Sequence, residues 1–193
     1  MKQVRALTLV STSPRRRELL EKYVPQLRVV APVAAESLIR NADDVVANAR
    51  RKLESASLAP GEIGVSADTA VFLDGRAMGK PAAKPKAIEA LESLSGRWHE
   101  VVTGVALQCE GRIDTASETT RVRFRKLEKD TIRAYVATGE PLDKAGGYGI
   151  QGLGGFLVER IEGDYFNVVG LPLARLEDIL NKHGYSLLSH APE

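Results

Sequence analysis

Cysteine is nearly absent. Cys109 stands alone, which excludes an intrachain disulfide and suits a reducing compartment. Aromatic residues make up only 5% of the chain, too few for the stacking platforms of a single-strand nucleic-acid binder. An excess of one charge is missing as well, since 27 Lys and Arg face 25 Asp and Glu. No overall field therefore draws in nucleic acid, and only the local placement of arginine can matter. No apolar run reaches the ~18 residues of a membrane span, and the opening MKQVRALTLV turns polar too soon for a signal peptide. The three histidines, His99, His183 and His190, are scattered and make no zinc constellation. What remains is a 193-residue chain, 44% hydrophobic and mostly aliphatic, expected to form one domain over residues 1–193 in the cytoplasm.

The most informative stretch is Leu9–Leu20, LVSTSPRRRELL. Apolar and β-branched residues end a strand, Ser11-Thr12-Ser13 turns, and Pro14 opens a helix with Ser13 at the N-cap. Arg15, Arg16 and Arg17 then fall in the first turn, where the helix dipole prefers acids by about 0.3–1 kcal/mol each. A local rule broken in this way points to a site. Free helix N–H groups, two serine hydroxyls and guanidiniums suit a phosphate, against the blander reading of a basic surface balanced by Glu18 and Glu21.

Further along, Leu27–Val30 reads as a short strand, and Asp43 or Asp44 caps a helix reaching about Ser57. Glu62–Ala67 is a strand that ends at Asp68, followed by Ala70–Leu73 and a hairpin turn at Asp74-Gly75. A helix starts at Lys84-Pro85 and stops at Gly96. Trp98–Cys109 and Ile113–Phe124 form a second hairpin, whose outer face carries Arg121, Arg123 and Arg125. Such a face is more often solvated than ligand-binding. A helix over Glu128–Ala137, a glycine-rich segment over Asp143–Gly155, a strand over Phe156–Ile161 and a helix after Pro172 complete a mixed α/β pattern.

Two nucleotide motifs fail. Gly75–Pro81 has three residues between its glycines where a P-loop has four, and Pro81 replaces the magnesium-binding hydroxyl. Gly147–Gly152 matches GxGxxG but leads into a strand, not a helix. Asp68 at a strand end, Lys80 between Gly79 and Pro81, and Glu36 in a loop each read alone as solvated turn residues. With the arginine-rich helix start they make an inventory for cutting a phosphoanhydride: cations for phosphates, carboxylates for metal or water.

Ser11-x-Ser13-Pro14-Arg15-Arg16, Ala67-Asp68-Thr69, Gly79-Lys80-Pro81, Leu94–His99, Asp143–Gly152 and Asn167–Pro172 stand in an order that resembles the Maf family of nucleoside triphosphate pyrophosphatases. The resemblance implies an elongated α/β fold: a mixed sheet flanked by helices, two lobes and a central cleft, often as a homodimer. It implies hydrolysis between the α and β phosphates with a divalent cation, Mg²⁺ or Mn²⁺. Tyr148–Gly152 resembles the branch acting on dTTP and UTP, with a sister branch preferring 7-methyl-GTP. Thr12, Ser66 and Trp98 depart from the commoner residues at their positions.

On this reading Arg15, Arg16 and Lys80, with Ser11, Ser13 and the helix N-terminus, hold the triphosphate, and Lys52 stands at the family's lysine position. Asp68 is the base and, with Glu36, a metal ligand; an oxygen-rich, histidine-poor site suits a hard cation. Thr69 and Gln151 face the base of the nucleotide. A Gln amide matches the O4 and N3–H edge of uracil or thymine but serves cytosine if flipped, so selectivity needs a further group. The rival from another class is a non-enzymatic regulator using the Arg121, Arg123, Arg125 strip to bind nucleic acid or a division protein.

Overall fold

The computed structural model describes residues 6–35 and 37–189. Strand β1 (Leu7–Val10) runs parallel to both β2 (Arg28–Val30) and β3 (Ile63–Leu73). The later strands are antiparallel to their neighbours: β4 (Arg76–Met78), β5 (Trp98–Cys109), β6 (Arg112–Phe124) and β7 (Val158–Glu162). Among the described residues they form one mixed seven-stranded sheet in the order β2-β1-β3-β5-β6-β7, with β4 beside β3. Six α-helices among the described residues flank it: α1 (Pro14–Glu21), α2 (Ala42–Glu54), α3 (Lys84–Leu94), α4 (Lys129–Ala137), α5 (Tyr165–Val169) and α6 (Leu173–Lys182). No helix among the described residues is long and apolar enough to cross a membrane.

Strand alternation sorts the core. Leu7, Leu9, Ile63, Val65, Val105 and Leu107 turn to one face and join Leu19 and Leu20 of α1 with Leu176, Ile179 and Leu180 of α6. Farther along the long strands, Val71, Val101, Val122 and Phe124 join Leu91 and Leu94 of α3 with Ile132 and Val136 of α4. α2 covers the opposite face with Val45, Ala49 and Leu53. Between the first two cores lies a polar seam of fully buried Thr103, Thr120 and Asn167, with Thr69 at its edge. The Thr69 and Thr103 hydroxyls are 2.9 Å apart, and Thr103 donates to the Asn167 carbonyl at 3.0 Å. Asn167 Nδ2 donates to the Val101 carbonyl (2.9 Å) and Thr120 Oγ1 (3.0 Å). Burial without these bonds would cost about 1–3 kcal/mol per group, so the seam fixes how the two cores meet.

Several local expectations are corrected. Ser13 occupies the N-cap of α1, but its side chain caps nothing; its N–H donates to Ser11 Oγ at 3.1 Å. Asn41, not Asp43 or Asp44, caps α2 by accepting from Asp44 N at 3.0 Å, while Asp44 reaches back to Arg40 N at 2.8 Å. α2 ends at Glu54, short of Ser57, because Ser55 donates its hydroxyl to the Lys52 carbonyl at 2.7 Å. Asp68 does not end a strand: β3 runs on to Leu73, since β5 pairs Asp68 with Gly104 and Thr69 with Thr103. β7 begins at Val158, not Phe156, because Leu153–Leu157 coils into 3₁₀ turns. The basic strip of β6 is balanced by β7, Arg121 meeting Glu162 at 2.8 Å and Arg123 meeting Glu159 at 3.3 Å.

Candidate active site

β1 pairs with β3 only as far as Val10 opposite Ser66, and β4 joins the same edge only from Met78 opposite Val71. Over Ala67–Ala70 that edge of β3 has no strand beside it among the described residues. The gap opens at the carboxyl end of β1, where α1 leaves toward one face of the sheet and α2 covers the other. In open α/β sheets this divergence of connections makes a crevice. Here the crevice is a cleft of about 330 Å³. Within a closed sheet Asp68 and Thr69 would serve opposite faces; at an open edge both border one space.

Into this cleft the fold brings Ser11, Ser13, Arg15 and Arg16 from the β1–α1 corner, Lys52 from α2, Asp68 and Thr69 from β3, Lys80 after β4, and Gln151 from the glycine-rich segment. Glu36 lies outside the described residues. The three arginines part company on the helix. Arg17 points outward and pairs with Glu21 at 2.6 Å. Arg15 borders the cleft, half-buried. Arg16 is 8% exposed and held on all sides: Nε donates to the Gly170 carbonyl at 2.7 Å, Nη2 to Thr69 Oγ1 at 2.8 Å and Nη1 to Ser11 Oγ at 3.4 Å. Thr69 thus spends its hydroxyl on Arg16 and Thr103.

Lys52 and Asp68 form an ion pair at 2.6 Å, their side chains 9% and 6% exposed. Only Asp68 Oδ1 takes the ammonium; Oδ2 is buried with no partner among the described residues. Leaving a carboxylate oxygen unpaired is costly, and the remedy must come from the cleft side. No three His, Cys, Asp or Glu among the described residues form a ready metal cage. A single hard oxygen matches Mg²⁺, which keeps waters and takes one or two carboxylates plus substrate phosphates.

Asp143, Lys144 and Tyr148 also border the cleft; they stand in the motif block Asp143–Gly152, but sequence reasoning gave them no role of their own. Apart from that block, the residues themselves offer as a signal a charged pair placed directly before a glycine run. Burial works against the Asp143 charge, but its bond to Lys144 and the Arg15 guanidinium nearby hold the carboxyl below its usual range. Tyr148 OH meets His99 Nε2 at 2.8 Å, with Phe124 packed edge-on to both rings.

A family model described as Maf-like protein matches residues 6–183. A dTTP/UTP pyrophosphatase of Thermosipho africanus is 43% identical over 178 residues, 92% of this chain and 93% of the relative. One of Exiguobacterium sibiricum is 48% identical over 180 residues, 92% of each chain, and one of Halalkalibacterium halodurans 45% identical over 187 residues, 95% and 98%. The match runs through both apolar cores and every stretch bordering the cleft, and by it the chain belongs to the Maf family.

Proposed function

We infer that this protein is a nucleoside triphosphate pyrophosphatase that hydrolyses dTTP and UTP between the α and β phosphates. One observation carries the reading. Arg15, Arg16, Lys52 and Lys80 border the same cleft as a buried carboxylate whose second oxygen has no partner among the described residues. The names of the relatives support the choice of substrates.

In this proposal the N-terminus of α1, Ser11, Ser13 and the arginines receive the phosphates, where helix N–H groups and guanidiniums reinforce each other. Thr69 and Gly170 steady Arg16, and Lys80, which borders the same cleft, neutralises charge. Asp68, oriented by Lys52, accepts the proton of the attacking water. Water adds in line to the α phosphorus, the bond to the bridging oxygen breaks, and pyrophosphate leaves with the nucleoside monophosphate as co-product. Most of the rate comes from positioning and charge stabilisation, as in phosphoryl transfer generally. Asp68 Oδ2, with Glu36, would hold Mg²⁺ or Mn²⁺, which supplies charge neutralisation on the phosphates. Gln151, exposed and bordering the cleft, reads the base. The enzyme acts in the cytoplasm on free nucleotides, with no nucleic-acid partner.

The test is pyrophosphate release from dTTP, UTP, CTP and GTP with and without Mg²⁺ or Mn²⁺. Turnover of dTTP and UTP above the others, abolished by chelation, is expected. No turnover of any nucleotide would return the protein to the regulator class.

A further inference from the structure

A Gln amide can flip, so Gln151 alone does not separate uracil from cytosine. Peptide groups are different: an N–H and a C=O cannot exchange roles unless the backbone moves. Gly149, Ile150 and Gln151 all border the cleft, so the backbone here discriminates only as far as it is held still.

One carboxylate holds it. Glu140, half-buried in a 3₁₀ turn behind the segment, accepts from Leu153 N through Oε2 (3.0 Å) and from Gly154 N through Oε1 (3.1 Å). The Tyr135 hydroxyl of α4 donates to the same Oε1 at 2.9 Å and accepts from Gly149 N at 3.3 Å. The loop is therefore gripped on both sides of Gln151, at Gly149 before it and at Leu153 and Gly154 after it. A Cβ on Gly152 would sit 2.6 Å from Glu140 Oε2, so the chain wraps the carboxylate with no room between. Lys144 Nζ in turn donates to the Glu140 carbonyl at 2.8 Å, tying the turn to the cleft wall. Tyr135 is buried, and burial followed by the Glu140 bond pushes its phenol up, so the hydroxyl keeps its proton for Glu140.

We propose that Glu140, with Tyr135 as its support, is a positioning residue for base selection: it fixes the 149–154 backbone that presents Gln151 and so sets the preference for uracil and thymine over cytosine. The inference rests on the pyrophosphatase reading and sharpens its choice of substrate. Glu140 touches no substrate itself. Its loss acts through the loop.

The experiment compares wild type with Glu140→Gln and Tyr135→Phe. Amide hydrogen exchange over 149–154 reads the grip, and kcat/KM on UTP and CTP reads selection. Expected in both variants are faster exchange confined to this segment and a fall of about tenfold in the UTP-to-CTP ratio, through KM more than kcat. A merely structural role would lower both nucleotides equally and leave the ratio alone, and that result overturns the proposal. So does an unchanged ratio alongside a loosened segment. Should the wild type turn over no nucleotide, the pyrophosphatase reading fails by itself. The ratio is then read from dissociation constants for UTP and CTP, and equal affinities in wild type and variants would sink this proposal too.

Discussion

At the residue scale, the cleft separates groups that sequence treats alike. Arg15 and Arg16 are neighbours in one motif, yet only Arg16 is built into the frame, bonded to Gly170, Thr69 and Ser11. Alanine at either position should cut kcat/KM strongly. Arg16→Ala should also destabilise, because it strands the buried Gly170 carbonyl and opens a void, at about 1–3 kcal/mol. Arg15→Ala should leave the melting temperature level or higher, since it removes a cation from the positive end of a helix. Thermal melts beside kinetics check the split, and equal stability losses would deny Arg16 its special place. For Asp68→Asn the expected loss in kcat is about 10²–10⁴-fold with metal saturating, the usual worth of a general base. A kcat near wild type would remove Asp68 from the chemistry. The residue types were legible as a phosphate inventory. What was not legible is the wiring: the Lys52–Asp68 pair joins positions that no local spacing relates, and Glu140 shows its function only once the chain has folded around it.

At the scale of elements, α2 shows both what the sequence reveals and what it hides. Val45, Ala49 and Leu53 recur at helical spacing and are buried, so the helix itself was legible. Its start was not, because Asn41, Asp43 and Asp44 are all competent caps and the decision belongs to the turn before them. The cap matters to the site, since the same helix delivers Lys52 from its last turn. Asn41→Ala should cost about 1 kcal/mol and lower the melting temperature by about 2–4 °C, with a modest effect on catalysis. A melt indistinguishable from wild type would mean that packing against the sheet alone fixes the helix start. The misplaced strand break at Asp68 has a similar cause. β3 carries no break; the gap belongs to β1, which stops at Val10, and β4, which runs back toward it only as far as Met78. A strand's own residues do not record where its neighbours end.

At the scale of the whole molecule, alternation and helical periodicity were enough for a mixed sheet flanked by helices, but the strand order and the seam between the two cores come from pairings far apart in sequence. His99 belongs to this scale. It lies in the second core, 3% exposed, bonded to Tyr148 and stacked edge-on against Phe124. Burial lowers its pKa to about 4 from 6.5, outweighing a backbone bond to Arg97 that works the other way. The folded state therefore keeps the imidazole neutral where the unfolded chain protonates it. Stability from this group is intact above pH 6.5 and is lost as pH falls toward 4, because the unfolded state binds the extra proton. Glu62 and Asp114, whose carboxyls lie below their ordinary 4.5 and 3.8, contribute only at lower pH. The interval from pH 6.5 to 5 lies above their range. The difference between wild type and a His99 variant across it separates this histidine from His183, which pairs with Asp114. Linkage gives a loss of about 1.5 kcal/mol across it, or about 3–6 °C in melting temperature for a chain of this size. His99→Phe cannot titrate. It should be less stable at pH 7, with the Tyr148 hydroxyl left unpaired, yet its melting temperature should stay nearly flat from 6.5 to 5. If wild type and variant lose stability in parallel over that interval, the proton is taken up elsewhere and the core histidine is not the acid-sensitive group.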